Sequence, residues 1–161
     1  HFGMDMSDKP REGIEFNMIG TNYKLSNILS AVGIGQLIKI DELLNKRIEL
    51  AGNYIELLKG IDNIHFPQTT FHGLHSYQSF IIFHDNRDEV MKKMRKDEIE
   101  VQIGTYSLHK HQAFQNHPLV KINGDMKHSS WCNNHALTLP LFHDLTYEQQ
   151  KYIAEELIRL S

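Results

Sequence analysis

The chain has 161 residues, a net charge of −3, and 40% hydrophobic and 23% charged residues. That length suits one ordinary domain with its own core, and the balance predicts a soluble globular protein with no electrostatic drive toward nucleic acid or an anionic membrane. No apolar run approaches the roughly 20 residues needed to cross a bilayer, and the single cysteine, Cys132, excludes an internal disulfide framework and fits a reducing cytoplasm.

Residues 1–25 read as irregular connecting chain. His1-Phe2-Gly3-Met4 has neither a capping signal nor a periodicity and reads as loop from the middle of a longer protein. The stretch closes on Gly20-Thr21-Asn22-Tyr23-Lys24-Leu25-Ser26. A Gly, an Asn and an aromatic ahead of a helix can offer amide and backbone donors to an anion. The periodicity then predicts one long helix over 26–59. Ile28, Leu29, Val32, Leu37, Ile40, Leu44, Ile48, Ala51 and Ile55 recur mostly at gaps of three or four, which makes one stripe. Ser26 suits the N-cap and Gly60 the stop. Gly33 and Gly35 lie inside the pattern, where each costs up to about 1 kcal/mol. They are either tolerated or mark close approach of another backbone.

Residues 60–161 read as the second region. Ile64-His65-Phe66 predicts a short strand ended by Pro67. Tyr77 to Phe83 is β-rich and predicts the main strand. Arg87 to Lys96 predicts a helix with Val90, Met91 and Met94 inward, and Ile99 to Ile103 alternates as a strand. Thr105 to Gln115 has no clean period. Asp125 to Leu137 is weakly helical, with Met126 and Trp131 as buried anchors, and Leu139-Pro140-Leu141 reads as a short extended link. Thr146 and Gln149 form a capping box that opens a final helix with Tyr152, Ile153, Leu157 and Ile158 on one face. The order predicts an α+β fold: a long N-terminal helix plus a small, mostly antiparallel sheet of three or four strands covered by helices. No phosphate-binding G-x-G-x-x-G or G-x-x-x-x-G-K-[ST] motif is present.

Six blocks, in order, resemble the DegT/StrS aminotransferases, which depend on pyridoxal phosphate (PLP) and aminate keto sugars attached to nucleotides. His1-Phe2-Gly3 is similar to the tail of the family's R-x-H-G segment. Gly20 to Ser26 is similar to G-x-N-[YF]-[RK]-[ML]-[ST], and Ala31 to Leu37 to A-A-x-G-x-x-Q-L. His75-Ser76-Tyr77 to Phe83 resembles the strand that enters the C-terminal subdomain. Ile103 to His109 resembles the T-Y-x-L-H segment, and Leu137 to Phe142 the x-L-S-L-P-L-[FY] segment. The resemblance implies the small domain of fold-type I PLP-dependent transferases. It further implies that residues 1–25 are a loop from a large PLP domain, 26–59 a connecting helix and 60–161 the C-terminal domain. The family's Ser-x-x-x-Lys segment, which carries the catalytic lysine, has no counterpart here. The chain alone is therefore expected to be inactive, because the chemistry needs that lysine.

The resemblance also assigns residues. Asn22 is implied to reach the PLP phosphate of a neighbouring subunit, with Lys24 as a point charge on a phosphate and Tyr23 flanking the same site. The bland alternatives are an Asn supporting its own turn, a solvated Lys and a packed Tyr. Tyr106 and His109, with Tyr77 and His75 as weaker candidates, are implied to line the substrate mouth; the alternative is a set of satisfied structural residues. No metal site is expected. His72 with His75, His109 with His111, and Cys132 with His135 are pairs, and tetrahedral zinc needs three or four converging ligands. Cys132 reads as a small buried hydrophobe. The expected function is transfer of an amino group, from an amino acid with glutamate favoured, to a nucleotide-linked keto sugar by a cytoplasmic homodimer with no nucleic-acid or membrane partner. The alternative is a non-catalytic binding or regulatory module of the same family.

Overall fold

The computed structural model describes residues 24–161. The expectations for residues 1–23, Asn22 and Tyr23 among them, lie outside the described residues. The chain divides into two compact units, one up to Ile40 and one from Asp41 to Ser161.

In the first unit, helix α1 spans Asn27–Leu37. Ser26 is its N-cap, as its spacing predicts: the hydroxyl accepts from the Leu29 N–H at 3.3 Å. None of its residues is buried. A Cβ added at Gly33 or Gly35 would meet open space. The single helix expected over 26–59 is interrupted at Ile38 and Lys39, and helix α2 runs from Ile40 to Leu58. The last turn of α1 tightens, with the Lys39 N–H donating to Gln36 O. The stretch around the break combines two glycines with Val32, Ile34, Ile38 and Ile40, all weaker helix formers than Ala or Leu.

In the second unit, Asp41 and Glu42 occupy the first turn of α2, where carboxylates complement the helix dipole. Its inner face buries Leu50, Ala51, Tyr54 and Leu58. Gly60, at φ 78°, makes the left-handed exit that the sequence anticipates. Four strands follow: β1 (Ile64–His65), β2 (Phe80–His84), β3 (Gln102–Ile103) and β4 (Ala136–Leu139). They form one antiparallel sheet in the order β1-β2-β4-β3.

Strand β2 alternates: Phe80, Ile82 and His84 are buried, while Ile81 and Phe83 point to the other face. Leu139 and Leu137 of β4 lie opposite Phe80 and Ile82. These residues join the inner faces of α2, of helix α3 (Arg87–Lys96) and of helix α6 (Tyr147–Leu160) in one core. Burying each such side chain is worth about 1.5–3 kcal/mol. Tyr54 stacks on Phe80 with ring centres 5.0 Å apart and donates its hydroxyl to Pro140 O at 3.0 Å. Gln150 is fully buried and satisfied: it donates to Leu50 O at 2.8 Å and accepts from Asn53.

Several expectations change. Residues 136–139 form a strand paired on both sides, as β2 is, so the helix expected to reach Leu137 ends at His135 and the extended link expected over 139–141 begins inside a strand. The main strand starts at Phe80, because Tyr77 adopts φ 45° and leaves the extended region. The strand expected over 99–103 pairs only at Gln102 and Ile103. The aperiodic stretch holds a 3₁₀ turn at Leu108–Lys110 and a short helix α4 at Gln112–Gln115. Helix α5 (Lys127–His135) is real, but Trp131 is 43% exposed and lies over Phe83 on the outer face of the sheet. In α6 the buried set is Gln150, Ile153, Ala154 and Leu157, so Tyr152 and Ile158 face outward.

Candidate functional site

Strand β2 is preceded by a loop, residues 66–79, whose backbone is strained. Tyr77 sits at φ 45° and His72 at φ 59°. Such a conformation in a residue other than Gly costs of order 1–3 kcal/mol and persists only when its surroundings hold it. The holding contacts are visible. The Tyr77 N–H donates to Nδ1 of His75 at 2.9 Å, and the two rings stack with centres 4.1 Å apart. Because Nδ1 accepts, the neutral His75 ring carries its proton on Nε2. Arg47 of α2 donates from Nη1 to the carbonyls of both Tyr77 and Gln78, each at 2.9 Å.

His75 and Tyr77 line a cleft of about 370 Å³. Its lining is mostly aromatic and aliphatic, Phe66, Ile81 and Phe83 among it, with Thr105 and Cys132 contributed by distant parts of the chain. Mostly apolar lining with a few polar groups is the usual makeup of a small-molecule site. A second cleft of about 530 Å³ lies beside Ile99, Leu139 and Ile153. It is the larger, but none of the residues anticipated from sequence lines it. The smaller cleft has the stronger claim, since strained backbone clusters at binding sites.

Tyr106 and His109 do not line either cleft. Tyr106 follows Thr105, is 59% exposed and meets the His111 ring edge-on at 6.1 Å. His109 is half-buried against α5: its Nε2 lies 3.2 Å from Ser130 Oγ, and its Nδ1 is buried without a hydrogen-bond partner. Ser107 fixes this segment. It is buried, its hydroxyl donates to Ser129 O at 2.6 Å, and its N–H donates to Asn133 Oδ1 at 3.0 Å. The structure thus brings His75 and Tyr77 together in one cleft and sets Tyr106 and His109 on a neighbouring platform beyond Thr105. Lys24 is exposed, just ahead of the Ser26 cap.

Three contributors escape a reading by motif: Arg47, Ser107 and Cys132. Arg47 did leave a signal. It falls inside the apolar stripe of α2, three or four residues from Leu43, Leu44 and Ala51, where a cation needs an acceptor on another element. Cys132 is half-buried and lines the cleft, so it is less enclosed than expected.

A PLP group needs a desolvated lysine as its covalent partner. Among the described residues no lysine is buried and none lines either cleft. The described residues therefore do not by themselves fit covalent attachment of that group. Among them there is also no group of three or more His, Cys, Asp or Glu placed to hold a metal ion, and no helix is long and apolar enough to cross a membrane.

Residues 1–158 match the profile of the DegT/DnrJ/EryC1/StrS aminotransferase family. The chain is 25% identical over 146 residues to a protein of Escherichia coli O157:H7 described as GDP-perosamine synthase, covering 88% of this chain and 38% of that protein. It is also 25% identical over 161 residues to the UDP-4-amino-4-deoxy-L-arabinose--oxoglutarate aminotransferase of Shewanella sediminis, covering 90% of this chain and 41% of that one. Among solved structures, DesV of S. venezuelae superposes with a TM-score of 0.80 at 21% identity, covering 93% of this chain and 40% of DesV. The chain spans about two fifths of the length of each of these proteins.

Proposed function

The chain belongs to the DegT/DnrJ/EryC1/StrS aminotransferase family, and from that premise we propose that it is the C-terminal part of a PLP-dependent aminotransferase acting on a keto sugar linked to a nucleotide. What supports this reading is the family match over nearly the whole chain, together with two relatives that are each more than twice as long. The two relatives are named for GDP- and UDP-linked sugars, and one is named for oxoglutarate, the keto acid left when glutamate gives up its amino group. That supports a nucleotide-linked sugar as acceptor and glutamate as donor. In the complete protein PLP would supply the electron sink that carries the amino group from donor to acceptor.

This chain's own residues would bind and orient. Asn22 and Lys24, with Tyr23 beside them, would complete the cofactor-phosphate site of a partner subunit, which makes the enzyme a two-fold homodimer. His75 and Tyr77 would present ring faces and one imidazole N–H to the sugar nucleotide at the cleft. Tyr106 and His109, on the platform fixed by Ser107, would guide its polar end. The reacting lysine would lie on sequence outside this chain, so the chain alone would not turn over. The working compartment would be the cytoplasm.

The test is to express the complete reading frame and incubate it with PLP, glutamate and a GDP- or UDP-linked 4-keto sugar. Mass spectrometry should show an aminated nucleotide sugar and one equivalent of oxoglutarate. A reading frame with no upstream Ser-x-x-x-Lys segment, or one that makes no amino sugar from either nucleotide series, would point instead to a non-catalytic binding or regulatory member of the family.

A further inference from the structure

Arg47 lies far in sequence from every residue singled out by motif, yet it is tied directly to one of them. Its Nη1 donates to Tyr77 O and to Gln78 O, both at 2.9 Å. Among the described residues these are the hydrogen bonds that reach the 66–79 loop from another element. The two carbonyls they hold are that of Tyr77 itself, which adopts the left-handed φ of 45°, and that of the residue after it. That turn aims the Tyr77 N–H at Nδ1 of His75 and stacks the two rings beside the cleft.

We propose that Arg47 is a positioning residue: its guanidinium clamps the turn at Tyr77 and so holds the His75–Tyr77 ring pair, and the His75 tautomer, in the arrangement that receives the ring-bearing ligand of the 370 Å³ cleft. The identity of that ligand as a nucleotide-linked sugar rests on the reading given above; the clamp does not. The chemistry favours an arginine here. Two acceptors on successive carbonyls crowd negative partial charge at one point, and a planar, permanently charged donor serves both. Arg47 stands on α2, whose next turns are locked into the core by Leu50, Ala51 and Tyr54. The clamp is therefore built on a rigid element, while what it holds is a loop.

The experiment compares the wild-type chain with Arg47→Met, which keeps the aliphatic stem but cannot donate, and with Arg47→Lys, which restores a cationic donor. Long-range ¹H–¹⁵N spectra of the histidine rings report the His75 tautomer, and cross-peaks between the His75 and Tyr77 rings report the stack. The expected result is an Nε2–H tautomer with ring cross-peaks in wild type and in Arg47→Lys. In Arg47→Met the tautomers mix and the cross-peaks vanish, while signals from the Leu50, Tyr54 and Phe80 core stay in place. An unchanged His75 signature in Arg47→Met overturns the proposal. Should Arg47→Met fail to fold, the double variant Arg47→Met with Tyr77→Gly decides. A refolded double variant supports the clamp, because glycine tolerates the turn without help; one that stays unfolded overturns it. Ligand binding is read separately in the complete protein with UDP-glucose and GDP-mannose as probes. Arg47→Met should raise KM about tenfold or more in any turnover assay and leave kcat within about twofold. If neither probe binds wild type while the His75 signature still depends on Arg47, the clamp stands and the sugar-nucleotide reading falls.

Discussion

His84 shows how much a single residue's setting decides. It closes β2 on the buried face, 1% exposed; its Nδ1 accepts from the Asn86 N–H at 3.0 Å, and its Nε2 has no partner. Burial holds its pKa below the usual histidine value, His65 adds to the effect, and Asp85 opposes it. The unfolded chain takes up this proton as pH falls through about 6.5, while the folded chain resists it. Stability from this residue is therefore full above that value and lost as pH falls toward the folded pKa. Urea unfolding between pH 7.5 and 5 should show wild type losing stability faster than His84→Asn, which keeps an acceptor for Asn86 but does not titrate. Parallel curves for the two proteins would remove His84 from the account. Tyr54 is held by the same physics at another site. Burial pushes its phenol well above the ordinary tyrosine value, and its proton stays committed to Pro140 O.

At the scale of elements, the sheet is held together by close approach as much as by burial. Strand β3 pairs at only two residues, and the next residue, Gly104, continues the contact by donating to Ala136 O at 2.9 Å. A Cβ at Gly104 would fall 2.8 Å from Ala136 Cβ and 3.1 Å from Ile81 Cγ2. Neither atom is the end of a flexible side chain, so the strand itself must move. Gly104→Val should cost about 1–3 kcal/mol, seen as a lower urea midpoint, and Ala136→Gly in the same chain should recover part of it. A midpoint equal to wild type would mean that β3 is free to drift. The two glycines of α1 are of another kind, because nothing in the structure meets a Cβ there.

On the scale of the whole molecule, a run of exposed apolar residues marks the first unit. That unit exposes Leu25, Ile28, Leu29, Val32, Ile34 and Leu37, each more than half accessible, and α1 buries no residue. A helix that is apolar all round is ordinarily buried against a neighbour. The second unit carries a cleft with aromatic and imidazole groups but no lysine among its lining residues. PLP titrated into this chain should then give no saturable, stoichiometric visible band, although the same titration of a complete family enzyme would. A one-to-one band, lost when a lysine of this chain is replaced, would overturn the view that the reacting lysine lies on other sequence.

The sequence by itself determined the local features whose signals are local. The Ser26 cap, the Thr146–Gln149 capping box, the exit at Gly60 and the helix over 87–96 were legible because each rests on neighbours within four residues. Order along the chain was enough for the fold class and for the family resemblance. Contacts between residues distant in sequence were decided only by the tertiary structure. Residues 136–139 became a strand paired on both sides because β2 and β3 lie against them, which the four residues Ala-Leu-Thr-Leu cannot announce. Tyr77 left the strand its composition favours because His75 and Arg47 hold its turn. His75 and Tyr77 came to share a cleft with Cys132, more than fifty residues away, while Ser107 and His109 are bound to α5 through Ser129 and Ser130 and Tyr106 meets His111 instead. Periodicity records which side of an element is apolar, but not which other element will lie against it.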